Sequence, residues 1–211
     1  MVAFPQSFEP LALPRPPGSQ RYDVFSPKLD RRLTLYGRSS LDGWLMIESD
    51  PAVRTFCERP GFMMLSGKRY VVDFWLKYDD HEEVVHLAEP TPATGPDRHR
   101  ADLDPDIFAV RRIGSGERAA ARIWLANWQR MLPAIVIARG LVKPAVRDAI
   151  EQFVATSRSL SEIERGFSTC DTTIVRAAVF ELLHRGCIQA FDLHTGNLSL
   201  LTRFSAVQAE S

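Results

Sequence analysis

Asp73 and His86 are the residues whose types and spacing most directly invite chemistry. Tyr70 to Lys77 alternates: Tyr70, Val72, Phe74 and Leu76 face one way, and Val71, Asp73, Trp75 and Lys77 the other. Val84 to Ala88 reads as the next strand, with Tyr78-Asp79-Asp80-His81 as the tight turn between them. A two-residue turn at Asp79-Asp80 pairs Tyr78 with His81, and Asp73 then lies opposite His86. Directly opposed residues have Cβ atoms about 4.5–5.5 Å apart. An Asp/His pair at that spacing can bind a metal ion or form a plain hydrogen bond, and a one-residue slip of the turn separates the two. Cys57, Cys170 and Cys187 offer no CxxC or Cys/His spacing, which argues against structural zinc.

The elements that must position these groups follow from the pattern on either side. Residues 1–20 carry Pro5, Pro10, Pro14, Pro16, Pro17 and Gly18 and read as a flexible arm without a core of its own. Lys28, Arg31, Arg32 and Arg38 make a locally basic stretch. A helix is expected over about 39–49, ended by Asp50-Pro51, because proline disfavours helical geometry in the residue before it. Strands are expected at Val53–Cys57, Phe62–Leu65 and Phe108–Ile113, with a loop over 89–105 and a helix over Glu117–Leu132 that Pro133 interrupts.

From Pro144 the periodicity becomes helical. A helix from Pro144, a capping box at Ser159-Leu160-Ser161-Glu162 and a third helix capped by Asp171 and stopped at Gly186 follow in order. Two strands, Cys187–Leu193 and Leu198–Phe204, are expected after them. Three helices and a hairpin in so short a span read as a winged helix over 143–205, with a tail over 206–211.

Several segments, in this order, resemble the TnsA family of transposon endonucleases. They are Phe25-Ser26-Pro27-Lys28 with Arg31-Arg32, then Ser40-Leu41-Asp42 through Glu48-Ser49-Asp50-Pro51-Ala52-Val53. Glu58-Arg59-Pro60, Gly67-Lys68-Arg69 with Val72-Asp73-Phe74, and Leu125-Ala126-Asn127-Trp128-Gln129 complete the set. The resemblance implies an α/β chain: a restriction-endonuclease-like domain, a mixed sheet flanked by helices, over 21–142, followed by the winged helix. It further implies cleavage of the 5′ ends of a transposon beside a partner transposase, and docking of the C-terminal domain on an ATP-dependent regulator.

Such folds hydrolyse a phosphodiester with magnesium or manganese held by carboxylates on a helix and two strands, and a lysine two residues beyond the second strand ligand. Transferred onto this chain, Asp73 is the strand aspartate. Asp42 stands near the helix glutamate, although counting back from Asp50 puts Ser40 there instead. Glu48 reads as a surface residue. On Val84-Val85-His86-Leu87-Ala88, His86 takes the second acidic position and Ala88 the lysine position. Asp73, Asp42 and His86 are therefore the expected metal ligands, and Lys77, on the Asp73 face, the substitute cation. Histidine in that set would favour manganese over magnesium.

The chain has 211 residues, and 26 basic residues balance 26 acidic ones, so no global positive field holds nucleic acid. Between 143 and 205 seven basic residues match seven acidic ones, which points the C-terminal domain towards protein rather than DNA. Sparse cysteines, no leader pattern and no long apolar run suit a cytoplasmic protein without a membrane span. Three readings follow: an active endonuclease, a TnsA-like subunit whose cleavage is weak or lost and which acts in assembly on transposon-end DNA, and a winged-helix DNA-binding regulator with a non-catalytic N-terminal domain.

Overall fold

Alternation in the first half of the chain becomes β-structure, and the helical periodicity of the second half becomes helices. The structure is a computed structural model that describes residues 8–65, 67–87, 102–104 and 106–207. It is mixed α/β and divides into two units: 1–44 with 52–118, and 45–51 with 119–211.

In the first unit β1 (Arg21–Ser26) and β2 (Arg31–Tyr36) form an antiparallel hairpin. Leu33 and Leu35 are buried, so alternation in Arg32-Leu33-Thr34-Leu35-Tyr36 carried a strand signal hidden within the basic stretch. Helix α1 (Arg38–Ser49) follows; its first residues belong to this unit and its last to the other. Gly43 lets it approach the sheet: a Cβ there would lie 2.5 Å from Leu87 Cδ2. Next come β3 (Thr55–Glu58), β4 (Phe62–Leu65), β5 (Lys68–Val71), β6 (Phe74–Lys77), β7 (Glu82–Leu87) and β8 (Ala109–Ile113). β3, β6, β7 and β8 form one mixed sheet in that order, antiparallel except for the parallel β7–β8 pair. β4 and β5 pair separately. Cys57, Met63, Val72, Trp75, Val84, Leu103 and Phe108 form a core cluster.

The continuous strand expected over Tyr70–Lys77 is broken. Val72 N–H donates to Gly61 O at 3.0 Å, continuing the β4–β5 pairing, whereas Asp73 N–H donates to Val85 O at 3.1 Å in the main sheet. The chain changes partner between these two residues. The arm also differs from expectation over residues 8–20: Leu11 is buried, its N–H donates to Arg59 O at 2.8 Å, and the Phe8 ring lies 4.8 Å from that of Trp75. The arm thus shares a core it could not form alone. Residues 1–7, most of the 89–105 loop, Ala88 and the tail beyond 207 lie outside the described residues.

The expected long helix splits into α2 (Ser115–Ala120) and α3 (Arg122–Ile137), and Pro133 sits inside α3 without ending it. Burial of Met131, Leu132 and Ile135 on both sides of the proline offsets the one hydrogen bond that its ring removes. α3 packs on later helices, so the contacts divide the chain after Arg118, whereas the sequence places the boundary after 142. The second unit continues with α4 (Pro144–Phe153), β9 (Arg158–Ser159), α5 (Leu160–Gly166), α6 (Thr172–His184), β10 (Ile188–Gln189), α7 (Asp192–Thr195) and β11 (Arg203–Ala206). The capping box at Ser159/Glu162 and the Asp171 cap form as expected. The two long strands expected after Gly186 do not: a helical turn, α7, separates short strands, and the sheet runs β10-β11-β9. The cause is Asn127. Its buried amide donates to Leu193 O at 2.9 Å and Gly196 O at 2.8 Å and accepts from Leu198 N–H at 2.8 Å, fixing the turn. Glu48 is fully buried rather than on the surface, with Oε1 2.9 Å from His184 Nε2. Among the described residues no helix is long and apolar enough to cross a membrane.

Candidate functional site

Asp73 stands where β5 gives way to β6, held by backbone on both sides. Its carbonyl accepts from Arg59 N–H at 2.8 Å, and its N–H donates to Val85 O. The Asp79-Asp80 turn forms with Tyr78 N–H donating to His81 O at 2.9 Å. The β6–β7 register pairs Lys77 with Glu82 and Phe74 with Val85 and ends there; Asp73, one residue before β6, gives its N–H to Val85 O, which leaves its side chain near His86 rather than in a ladder pair with it. The side chains do not hydrogen-bond. His86 Nδ1 lies 4.0 Å from Asp73 Oδ2, which instead accepts from Leu87 N–H at 2.8 Å.

His86 is completely buried, and neither ring nitrogen has a hydrogen-bond partner. Burial, with Arg112 on the neighbouring strand, holds its pKa below the usual imidazole value, so the ring is neutral at pH 7. Burial raises the Asp73 pKa to about 6, against the opposing pull of the Leu87 N–H, Arg118 and Arg59. Near neutrality the carboxyl can therefore donate or accept a proton.

A cavity of about 170 Å³ opens beside Asp73, and Leu13, Tyr36, Ser40, Glu58, Arg59 and Val71 are among its walls. Ser40, not Asp42, shares this wall; Asp42 Oδ1 accepts from Arg38 Nε at 2.8 Å. Lys77 is also apart. It is exposed, with Nζ 3.9 Å from Glu82 Oε1, and four residues of strand put it about 13 Å along the chain from Asp73. Glu58 is buried, and both its oxygens are taken by Arg31, at 2.8 and 2.6 Å.

These residues do not fit a magnesium site. Asp73 and His86 offer one carboxylate and one imidazole, whereas magnesium requires near-octahedral oxygen. Among the described residues no group of three or more His, Cys, Asp or Glu side chains could hold a metal ion. Asp42 and Glu58 are instead tied to arginines.

Sequence reasoning passed over Arg59, a residue of the cavity wall. Its Nε donates to Leu11 O at 3.2 Å and its Nη1 to Thr34 O at 2.9 Å, and its φ is +46°. Left-handed backbone at a non-glycine residue is uncommon and clusters at functional sites. No signal in Glu58-Arg59-Pro60 announces that geometry. No family model and no curated protein matches the chain.

Proposed function

We propose that the chain is a TnsA-like subunit of a heteromeric DNA transposition machinery. Its first unit is a restriction-endonuclease-like domain with a degenerate site, weak or inactive in 5′-end cleavage, and the protein acts in assembly. The observation that carries this reading is the placement of Asp73. The end of a mixed sheet holds it beside a cavity walled by the helix residue Ser40, with His86 Nδ1 4.0 Å from its Oδ2. The positions where such an enzyme needs a helix carboxylate and a second acidic ligand carry a hydroxyl and a buried neutral imidazole.

The second unit is read as a winged helix that docks on protein, in this scheme the ATP-dependent regulator. Arg176 of α6 is already bonded to Glu164, with Nε 2.5 Å from Oε1, and is poorly placed to neutralise phosphate. Beside it Leu160, Phe180, Leu198 and Leu200 line a groove, and Leu201 and Phe191 are exposed.

The test is cleavage of DNA bearing transposon ends by the full chain with magnesium or manganese. Little or no cutting is expected. His86→Glu combined with Ala88→Lys should raise it. Robust magnesium-dependent cutting by the unaltered protein, abolished by Asp73→Ala, would overturn the degenerate-site reading.

A further inference from the structure

We infer that Arg59 is the phosphate-contacting cation of this site, its free Nη2 reaching a non-bridging oxygen of a phosphodiester lodged in the cavity beside Asp73. This rests on the reading of the first unit as a DNA-handling domain, and it places the charge where neither Lys77 nor Ala88 provides it.

Several independent features converge on Arg59. Nε and Nη1 are committed to the Leu11 and Thr34 carbonyls, whereas Nη2 has no hydrogen-bond partner among the described residues. Two backbone anchors fix the plane of the guanidinium, so little further freedom is lost when the third nitrogen meets an oxyanion. The residue is held at φ +46° while its N–H donates to Asp73 O and its carbonyl accepts from Leu11 N–H. The strained backbone is thus locked on both sides at a residue of the cavity wall.

Nor is the charge already spent. Glu58, the adjacent carboxylate in the cavity wall, is fully engaged by Arg31. Asp73, the other acidic wall residue, titrates near neutrality, and in its protonated form it can donate to the same anion. The hydroxyls of Ser40 and Tyr36 also belong to cavity-wall residues. The volume of about 170 Å³ admits a tetrahedral phosphate group. Arg118, the other cation whose field reaches Asp73, is outside the cavity wall. Its Nη1 donates to Ile113 O at 2.7 Å, and its Nη2 lies 3.5 Å from Ser39 Oγ.

A free phosphate and a DNA phosphodiester present the same oxyanion, so the experiment has two arms on the full chain. In the first, inorganic phosphate is titrated while arginine side-chain N–H resonances are followed by NMR, the Arg59 signals being assigned through bonds from its own backbone amide. A saturable shift of the Arg59 signals is expected, with Arg118 unmoved. Ser40→Glu leaves Arg59 and its anchors in place, sets a carboxylate in the cavity and should abolish the shift, so the test survives a folding failure of any Arg59 variant. An Arg59 signal that stays still in the unaltered protein, or a shift that persists in Ser40→Glu, overturns the inference.

In the second arm, duplex DNA binding is measured against salt. Losing one phosphate contact in Arg59→Gln should reduce the slope of log K on log salt by about 0.9, and Lys77→Gln should leave it unchanged. A folded Arg59→Gln with an unchanged slope overturns the phosphodiester assignment. If phosphate moves Arg59 but the protein binds no DNA, the transposition reading falls while the oxyanion contact stands.

Discussion

Asp73 is a carboxyl that the fold prefers protonated, and this has a definite effect on stability. Its folded pKa of about 6 lies above the ordinary 3.8. The folded state therefore binds the proton more tightly than the unfolded one, and stability falls as pH rises from about 4 to about 6, then levels off. Asp73→Asn removes that slope, so its Tm should change less than that of the unaltered chain across the window and exceed it at pH 7; a parallel pair of Tm profiles would refute this. Glu58 is buried, and both its carboxyl oxygens accept from Arg31 in a bidentate ion pair. Arg31→Ala strands that carboxylate. Fully buried pairs lose about 3–5 kcal/mol when broken, and the partly exposed Arg31 lowers the expected loss to about 2 kcal/mol, readable by urea denaturation.

At the scale of elements, the connection after α6 depends on one side chain in α3. Asn127→Ala would leave the Leu193 and Gly196 carbonyls and the Leu198 N–H without their partner, a loss of about 3 kcal/mol, and α7 would come apart first. Ser159→Ala removes a capping-box hydroxyl and should destabilise by about 1 kcal/mol. Calorimetry on the two variants checks both the sizes and their order. Local signals made much of this legible. The Asp79-Asp80 turn fixed the β6–β7 register from Lys77 to Phe74, and the caps of α5 and α6 could be read residue by residue. The partner change between Val72 and Asp73 could not be read, because it depends on Gly61 and Val85 competing for adjacent amides from distant parts of the chain. Pro133 within α3, and the helical turn where a hairpin was expected, were likewise decided by long-range packing and by Asn127. For the candidate site the sequence named Asp73 and His86, which lie near one another, and Lys77, which lies apart from them. Strand periodicity shows which face a residue shares, not how far along that face it lies. Arg59 owes its position to a left-handed backbone that no residue pattern encodes.

For the whole molecule, equal numbers of basic and acidic residues mean that any DNA affinity must come from few contacts rather than from a general field. Binding of random duplex by the full chain should therefore be weak with a shallow salt dependence; a slope near that of a protein making about 6–10 phosphate contacts would contradict this. The Asn127 clamp also bears on how the second unit opens. Leu198 lies in an irregular, partly exposed segment whose Ser199 and Leu201 amides bond only to side chains of the segment itself, whereas its own N–H is held by a buried side chain of α3. In deuterated solvent that single amide can exchange only when the segment lifts from the helix. It becomes a clock for the motion: its rate, compared with the amides of α6, reports whether the terminal segment peels away alone or only when the whole unit unfolds.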